Sequence, residues 1–304
     1  MALTLQDLRG SAARRRREAA LRTIFAAAAM LSIVISAAIV VSLVGQAATF
    51  LFNVDLTSLL DRGWFPRRDM FGIPTIVAGT FIVAGIGMLV ATPLGLGAAI
   101  YLSEYASPRV RRTLKPLLEI LAGIPSVVLG YFALSFLSPS LVDAACPGQT
   151  NIFNMAAAGI GVGILITPLI ASVAEDALYA VPRSLREASY GLGARKRTTS
   201  LQIVFPAAVS GIVAALLLGM SRGIGETMVV AMAAGASGGS LFQVNPCEPG
   251  QTMTAAMTAL ATGSDQTRGL AFPSLFFVGF LLFVMTLGLN LVADAFVRRV
   301  RTRY

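Results

Sequence analysis

Arg222 and Glu226 stand four residues apart in the stretch GMSRGIGETMVV, and between Ala207 and Leu241 they are the only charged side chains. A guanidinium presents a planar fork of N–H donors that fits an oxyanion through two parallel hydrogen bonds. A carboxylate one helical turn further on can neutralise that cation whenever the anion is gone. An ionisable side chain at the centre of a membrane helix costs roughly 3 kcal/mol unless it is paired or hydrated, so such residues mark a bundle interior or an aqueous path. At about 100° per residue, both fall within the arc of Gly211, Ala215, Gly219 and Gly223, a small-residue stripe that lets another helix approach. A purely architectural reading makes the two an i, i+4 lock, but Arg preceding Glu is the weaker order for such a pair. The expectation is therefore a pathway in which Arg222 meets a translocating anion and Glu226 is its counter-charge.

The rest of the chain must supply a membrane bundle to hold them. Of 304 residues, 56% are apolar and only 13% charged, with a mean hydropathy of +0.76; soluble domains carry about 25% charged residues. The chain has no His, the commonest metal ligand, and its two Cys cannot make a tetrahedral Cys zinc site unaided. No G-x-x-x-x-G-K-[ST] phosphate loop is present, so ATP chemistry would need another chain. An intramembrane enzyme would lack a nucleophile–base set, and the sequence calls for no cofactor.

A span needs about 20 mostly apolar residues. Six segments qualify, 23–45, 74–102, 117–142, 155–174, 206–235 and 270–293. The first is too long for a signal-peptide core and is read as an uncleaved helix. The predicted order is a basic tail (1–22), a first helix (23–45), an external loop (46–73), a core of five further spans (74–297) and a second basic tail (298–304). Nineteen Lys and Arg fall on one side of these spans and four on the other, the latter being Arg62, Arg67, Arg68 and Arg268. Cytoplasmic loops carry the basic excess, so both termini are expected in the cytoplasm of a multi-pass cell-membrane protein. The net charge of +9 then reads as topology plus attraction to anionic membrane lipid, not as nucleic-acid binding. Cys146 and Cys247 both fall outside, where a disulfide between them can form and persist.

The cytoplasmic connection 175–205, EDALYAVPRSLREASYGLGARKRTTSLQIVF, reads as helix, glycine turn and helix, with Pro182 able to open the first. Taken alone it is a basic amphipathic connector. Its spacing is more specific. Glu187, Ala188 and Ser189 are followed after three residues by Gly193 and after nine more by Ile203, with Phe205 and Pro206 closing the pattern.

This resembles the E-A-A-x3-G-x9-I-x-L-P signature of type I ABC importer permeases, with Ser189 and Phe205 departing from it. The runs PLGLGAAIYLSEYA, LKPLLEILAGIPSVVLGYFAL, ITPLIASVAEDALYAVP and SRGIGETMVVAMAAG extend the likeness to PstC-type permease subunits of phosphate importers, from about residue 70 onward. The resemblance implies an all-α fold of one N-terminal helix plus a five-helix permease core. It also implies half of a translocation pathway, paired with a PstA-like second permease subunit. Two cytoplasmic PstB-like ATPase subunits and an extracytoplasmic PstS-like phosphate-binding protein would complete the importer. Glu187, Ala188, Gly193, Ile203 and Pro206 then become the ATPase-coupling residues, and ATP hydrolysis lies outside this chain. The signature does not select a substrate, so another oxyanion or small solute remains open, as does a self-contained ion-coupled carrier or channel.

Overall fold

The computed structural model describes residues 12–148, 151–235, 239–263 and 269–300. Arg268 and the outer parts of both tails lie outside them. Helix α1 (Ala12–Asn53) has 42 residues and at about 1.5 Å per residue runs some 60 Å, twice the ~30 Å of a bilayer core. The expected 1–22 tail is thus helical from Ala12, because its Ala, Arg, Glu and Leu are all strong helix formers.

The 46–73 connection is also more ordered than a loop. It holds the end of α1 and then β1 (Gly63–Phe65) and β2 (Met70–Phe71), while β3 (Ser240–Leu241) pairs with the other edge of β1. Trp64 is the shared register point, opposite Phe71 on one side and Ser240 on the other. Aromatic packing holds this small sheet on the bundle. Phe50 of α1 lies 5.1 Å from the rings of both Phe71 and Phe277.

Helix α2 (Ile73–Ile100) continues through a π-helical turn, Tyr101–Tyr105. Next comes α3 (Pro108–Leu121), opened by Ser107, whose hydroxyl accepts from the Val110 amide at 3.4 Å. The span expected at 117–142 begins only at Ser126. Pro125 disfavours helix at the residue before it, so α3 stands as a separate amphipathic helix. Its successor α4 (Ser126–Phe132) passes through a π-helical segment, Ala133–Val142, into α5 (Asp143–Ala145).

Helix α6 (Met155–Tyr179) is the hub, packed on α2, α3, α4, α10 and α11. Asn154 caps it, its side-chain oxygen accepting from the Ala157 amide at 2.7 Å. Its contact with α2 is close because Gly163 has no Cβ; one there would fall 2.8 Å from the Cβ of Val90. Without a hydrophobic drive between helices in lipid, such backbone approach supplies the packing.

Then follow α7 (Arg183–Gly191), α8 (Lys196–Thr198), a π-helical turn (Thr199–Val204), α9 (Phe205–Ala207) and α10 (Val209–Ile224). The axis turns by 71° between 196–207 and 209–224. Last come α11 (Met228–Ala233), α12 (Met253–Thr262) and α13 (Ala271–Val300), the last packed on α1 and α10. Among the described residues five helices are long and apolar enough to cross a membrane, and six when the bent pair counts as one span.

Candidate functional site

The expected continuous fifth span, 206–235, is broken where its two charges lie. Helix α10 ends at Ile224 and α11 starts at Met228. The break turns on Glu226, whose Oε1 accepts from the amides of Met228 at 3.2 Å and Val229 at 3.5 Å. These are orphan donors of a new helix start, and a carboxylate there also suits the positive end of the helix dipole. The Thr254 hydroxyl fixes the turn from α12 by donating to the Glu226 carbonyl at 2.7 Å. The break therefore takes Glu226 out of the α10 face on which the sequence put it.

The small-residue stripe has an occupant of its own. Gly219 and Gly223 face Ile170, Val162 and Ile166 of α6, and a Cβ at Gly219 would meet Ile170 Cγ1 at 2.6 Å. Arg222 is instead exposed, about 20 Å along α10 from Val209 at ~1.5 Å per residue. Beside it, the Ser221 hydroxyl donates to Asn290 Oδ1 at 3.0 Å and ties α10 to α13. Glu226 is 7% exposed. Among the described residues no ion pair joins Arg222 to Glu226 or to any other carboxylate. The arrangement is an exposed cation near the end of α10 with no carboxylate partner among the described residues, next to a helix start whose first amides are taken by Glu226.

At the other end of α10 lies the connection containing the E-A-A-like pattern. Helix α6 runs through Glu175 to Tyr179, so the connection is shorter than 175–205. Gly193, at φ +77, makes the turn after α7; that left-handed region favours glycine. Glu187, Ala188, Gly193 and Pro206 are exposed and Ile203 is at the margin of exposure, with Leu192, at 90% exposed, at the tip. Ser189, one of the two departures from the pattern, is buried. Its hydroxyl shares a 2.8 Å hydrogen bond with that of the fully buried Thr199, pinning α7 to the following π-helical turn.

Two ion-pair clusters beside this loop went unread in the sequence, because their members are far apart along the chain. Glu175, 0% exposed, takes Arg111 Nη2 at 2.7 Å and Lys115 Nζ at 2.8 Å, both from α3. Lys115 also reaches Asp176, and the Arg111 guanidinium carbon lies 3.7 Å from the Tyr179 ring centroid. The hydrogen bond to Glu175 holds the Arg111 pKa above its ordinary value. Burial works against the Lys115 ammonium, but its bonds to Asp176 and Glu175 outweigh it and the net pKa is raised. The second cluster joins Arg186 of α7 to Glu104 at the end of α2, at 2.9 Å. An exposed-looking REAS run gave no sign that its arginine points inward.

At the opposite end, the structure joins Cys146 to Cys247, with Cα atoms 6.2 Å apart and a sequence separation of 101. The bonded connection crowns α6, whose Met155 and Ala156 amides donate to the carbonyls of Glu248 and Pro246. Peptide mapping of non-reduced, alkylated protein is expected to give a linked Cys146–Cys247 peptide. Replacing both by Ser should cost about 2–4 kcal/mol, the usual worth of a bridge that closes a long loop. Recovery of both as free thiols, or an unchanged melting temperature in the double Ser variant, would contradict this.

Comparison with known proteins agrees with this architecture. Residues 91–303 match the family described as binding-protein-dependent transport system inner membrane component. The phosphate transport system permease protein PstC of Haemophilus influenzae is 33% identical over 267 residues, covering 82% of this chain and 83% of the relative. The probable ABC transporter permease protein YqgH of Bacillus subtilis is 32% identical, covering 87% and 86%. Among solved structures, a bacterial ABC transporter involved in import of the acidic polysaccharide alginate shares the fold, at TM-score 0.62 and 16% identity, covering 95% of this chain and all of that one. The chain therefore belongs to the inner-membrane permease family of binding-protein-dependent transport systems, as a non-catalytic, PstC-type ABC permease subunit whose ATPase is a separate chain.

Proposed function

We propose that this chain forms half of the pathway of an ATP-driven importer of inorganic phosphate. The observation that carries this reading is Arg222, an exposed guanidinium on a membrane helix with no carboxylate partner among the described residues. A cation so placed needs an anion or a hydrated path, and its fork suits a tetrahedral oxyanion. The phosphate relatives supply the choice among oxyanions. Glu226 serves as the counter-charge to Arg222 between transported ions, while its carboxylate also starts α11.

In this reading a PstA-like subunit provides the other half, and two PstB-like ATPases dock on the face formed by Glu187, Ala188, Gly193, Ile203 and Pro206. A PstS-like protein delivers phosphate to the opposite end. The chain sits in the cell membrane with both termini, and the basic end of the bundle, in the cytoplasm. Membership of an ABC permease family disfavours a self-contained carrier.

Two experiments bear on it directly. Purification of the chain in detergent with its candidate partners should bring an ATPase subunit with it, and a chain that purifies alone under those conditions would contradict the assembly. Labelling of intact cells with a membrane-impermeant thiol reagent should modify a cysteine introduced at the exposed Thr57 and spare one at the exposed Ser184. Modification at Ser184, above the unsubstituted background, would invert the topology.

A further inference from the structure

We propose that Arg186 is a positioning residue for coupling, the strut that carries movement of α7 into the membrane helices. This rests on the reading of α7 as the ATPase-docking helix, and it concerns a neighbour of the docking pattern that faces away from the dock. Helix α7 has nine residues, and its exposed side carries Glu187, Ala188 and Tyr190. Arg186 points the other way; its side chain is only 17% exposed. Its guanidinium makes three hydrogen bonds to two different spans. Nη1 donates to the Val181 carbonyl at 2.5 Å, and Nη2 donates to the Leu178 carbonyl at 2.8 Å and to Glu104 Oε1 at 2.9 Å.

The first two acceptors lie at and just beyond the end of α6: the Leu178 carbonyl, which also takes the Val181 amide at 3.3 Å, and the Val181 carbonyl. A cation there is also favoured by the negative end of the helix dipole. The third acceptor is the buried carboxylate at the end of α2, steadied by the Ser103 hydroxyl at 3.0 Å. One planar group thus ties the docking helix to the ends of the two most closely packed helices in the bundle.

The other links of α7 are local: the turn after α6 holds the Val181 amide on the Leu178 carbonyl at 3.3 Å, and Ser189 bonds Thr199 at 2.8 Å. Neither of these bonds reaches α2. A guanidinium held at three fixed points transmits displacement to α2 and α6 together. Lys cannot replace it, since a single ammonium on a flexible stem lacks the preorganised fork. The Glu175 cluster does not substitute either, because it joins α3 to α6 and does not touch α7.

The test uses the full transporter complex in sealed vesicles, with Arg186→Gln, Arg186→Lys, Glu104→Gln and the double Gln variant. Three quantities are read in each preparation: ATPase bound per permease, ATP hydrolysed, and phosphate taken up. If Arg186 is the strut, ATPase content stays at the unsubstituted level while ATP hydrolysed per phosphate imported rises roughly tenfold, the scale of one lost charge-assisted hydrogen bond. Glu104→Gln, which is isosteric, should raise the same ratio, the double variant should add little, and Arg186→Lys should fall between. An unchanged ratio in Arg186→Gln overturns the proposal, as does loss of ATPase from the complex, which would make Arg186 part of docking or folding. Thiol cross-linking from Leu192→Cys to the ATPase separates the two readings. Absence of any cross-link in the otherwise native chain removes α7 as the dock and the strut with it, whereas a cross-link with an unchanged ratio removes the strut alone.

Discussion

Arg222→Gln is expected to lower phosphate uptake by at least about 100-fold while the complex still assembles at its normal level. Two charge-assisted hydrogen bonds to an anion, at about 1.5–3 kcal/mol each, supply that scale. Assembly should survive because Arg222 has no carboxylate partner to strand among the described residues. If the arginine were half of a lock, its loss would leave Glu226 buried and unpaired, and breaking such a pair costs about 3–5 kcal/mol. The two accounts separate in the Arg222→Gln/Glu226→Gln variant. A lock would be relieved by removing both charges, restoring uptake, whereas a pathway contact would not. Glu226→Gln alone keeps an oxygen acceptor for the Met228 and Val229 amides, so it should fold normally. Arg222→Lys keeps the charge without the fork and should retain partial uptake. Uptake of ³²P-labelled phosphate by these variants, scored beside their membrane abundance, checks the set, and normal uptake by the double variant would make the arginine architecture.

Gly193→Val is expected to leave membrane insertion intact and abolish transport-linked ATP hydrolysis. The reason is local to the turn. Gly193 sits at φ +77 with no atom within 4 Å of where a Cβ would stand, so the substitution meets no clash and acts only through the backbone. A β-branched residue held in the left-handed region costs on the order of 1–3 kcal/mol. The turn can avoid that cost by reshaping, which would move Leu192 and the end of α7. Asn tolerates the left-handed conformation, so Gly193→Asn should retain most of the coupled activity. Measuring ATPase association and stimulated hydrolysis for both variants gives the answer. Equal coupling in Val and Asn variants would return the turn to being a plain connector.

The sequence carried the bundle and the connection on its surface because both are written in local patterns. Apolar length marks a span, Lys and Arg mark a side, and Gly193 falls where the chain must take a positive φ. The two cysteines were legible for the same reason, since the spans alone put them at one end. What escaped was nonlocal or atypical. GIGETM offers Thr227 as a cap-type residue, but its hydroxyl donates to the Gly225 carbonyl and the capping falls to Glu226, which is not a usual capping residue. Its carboxylate caps α11 only because α12 holds the turn through Thr254. A separate α3 was hidden by the apolar residues at its end, which run on toward α4. Glu175 looked like a surface charge, but Arg111 and Lys115 lie more than 50 residues before it in sequence and no local pattern joins them to it. Ser189 looked like a blemish in the docking pattern, and the hydroxyl it adds is what bonds Thr199.

The central claim is tested most directly by rebuilding the importer in sealed vesicles from this chain, its second permease subunit, the ATPase and the binding protein, with labelled phosphate as the transported species. The account predicts phosphate accumulation that requires ATP on the cytoplasmic face and the binding protein on the other, disappears when this chain is omitted, and is not matched by labelled sulfate. Accumulation without ATP, or ATP hydrolysis stimulated by the loaded binding protein with no phosphate crossing, would contradict it.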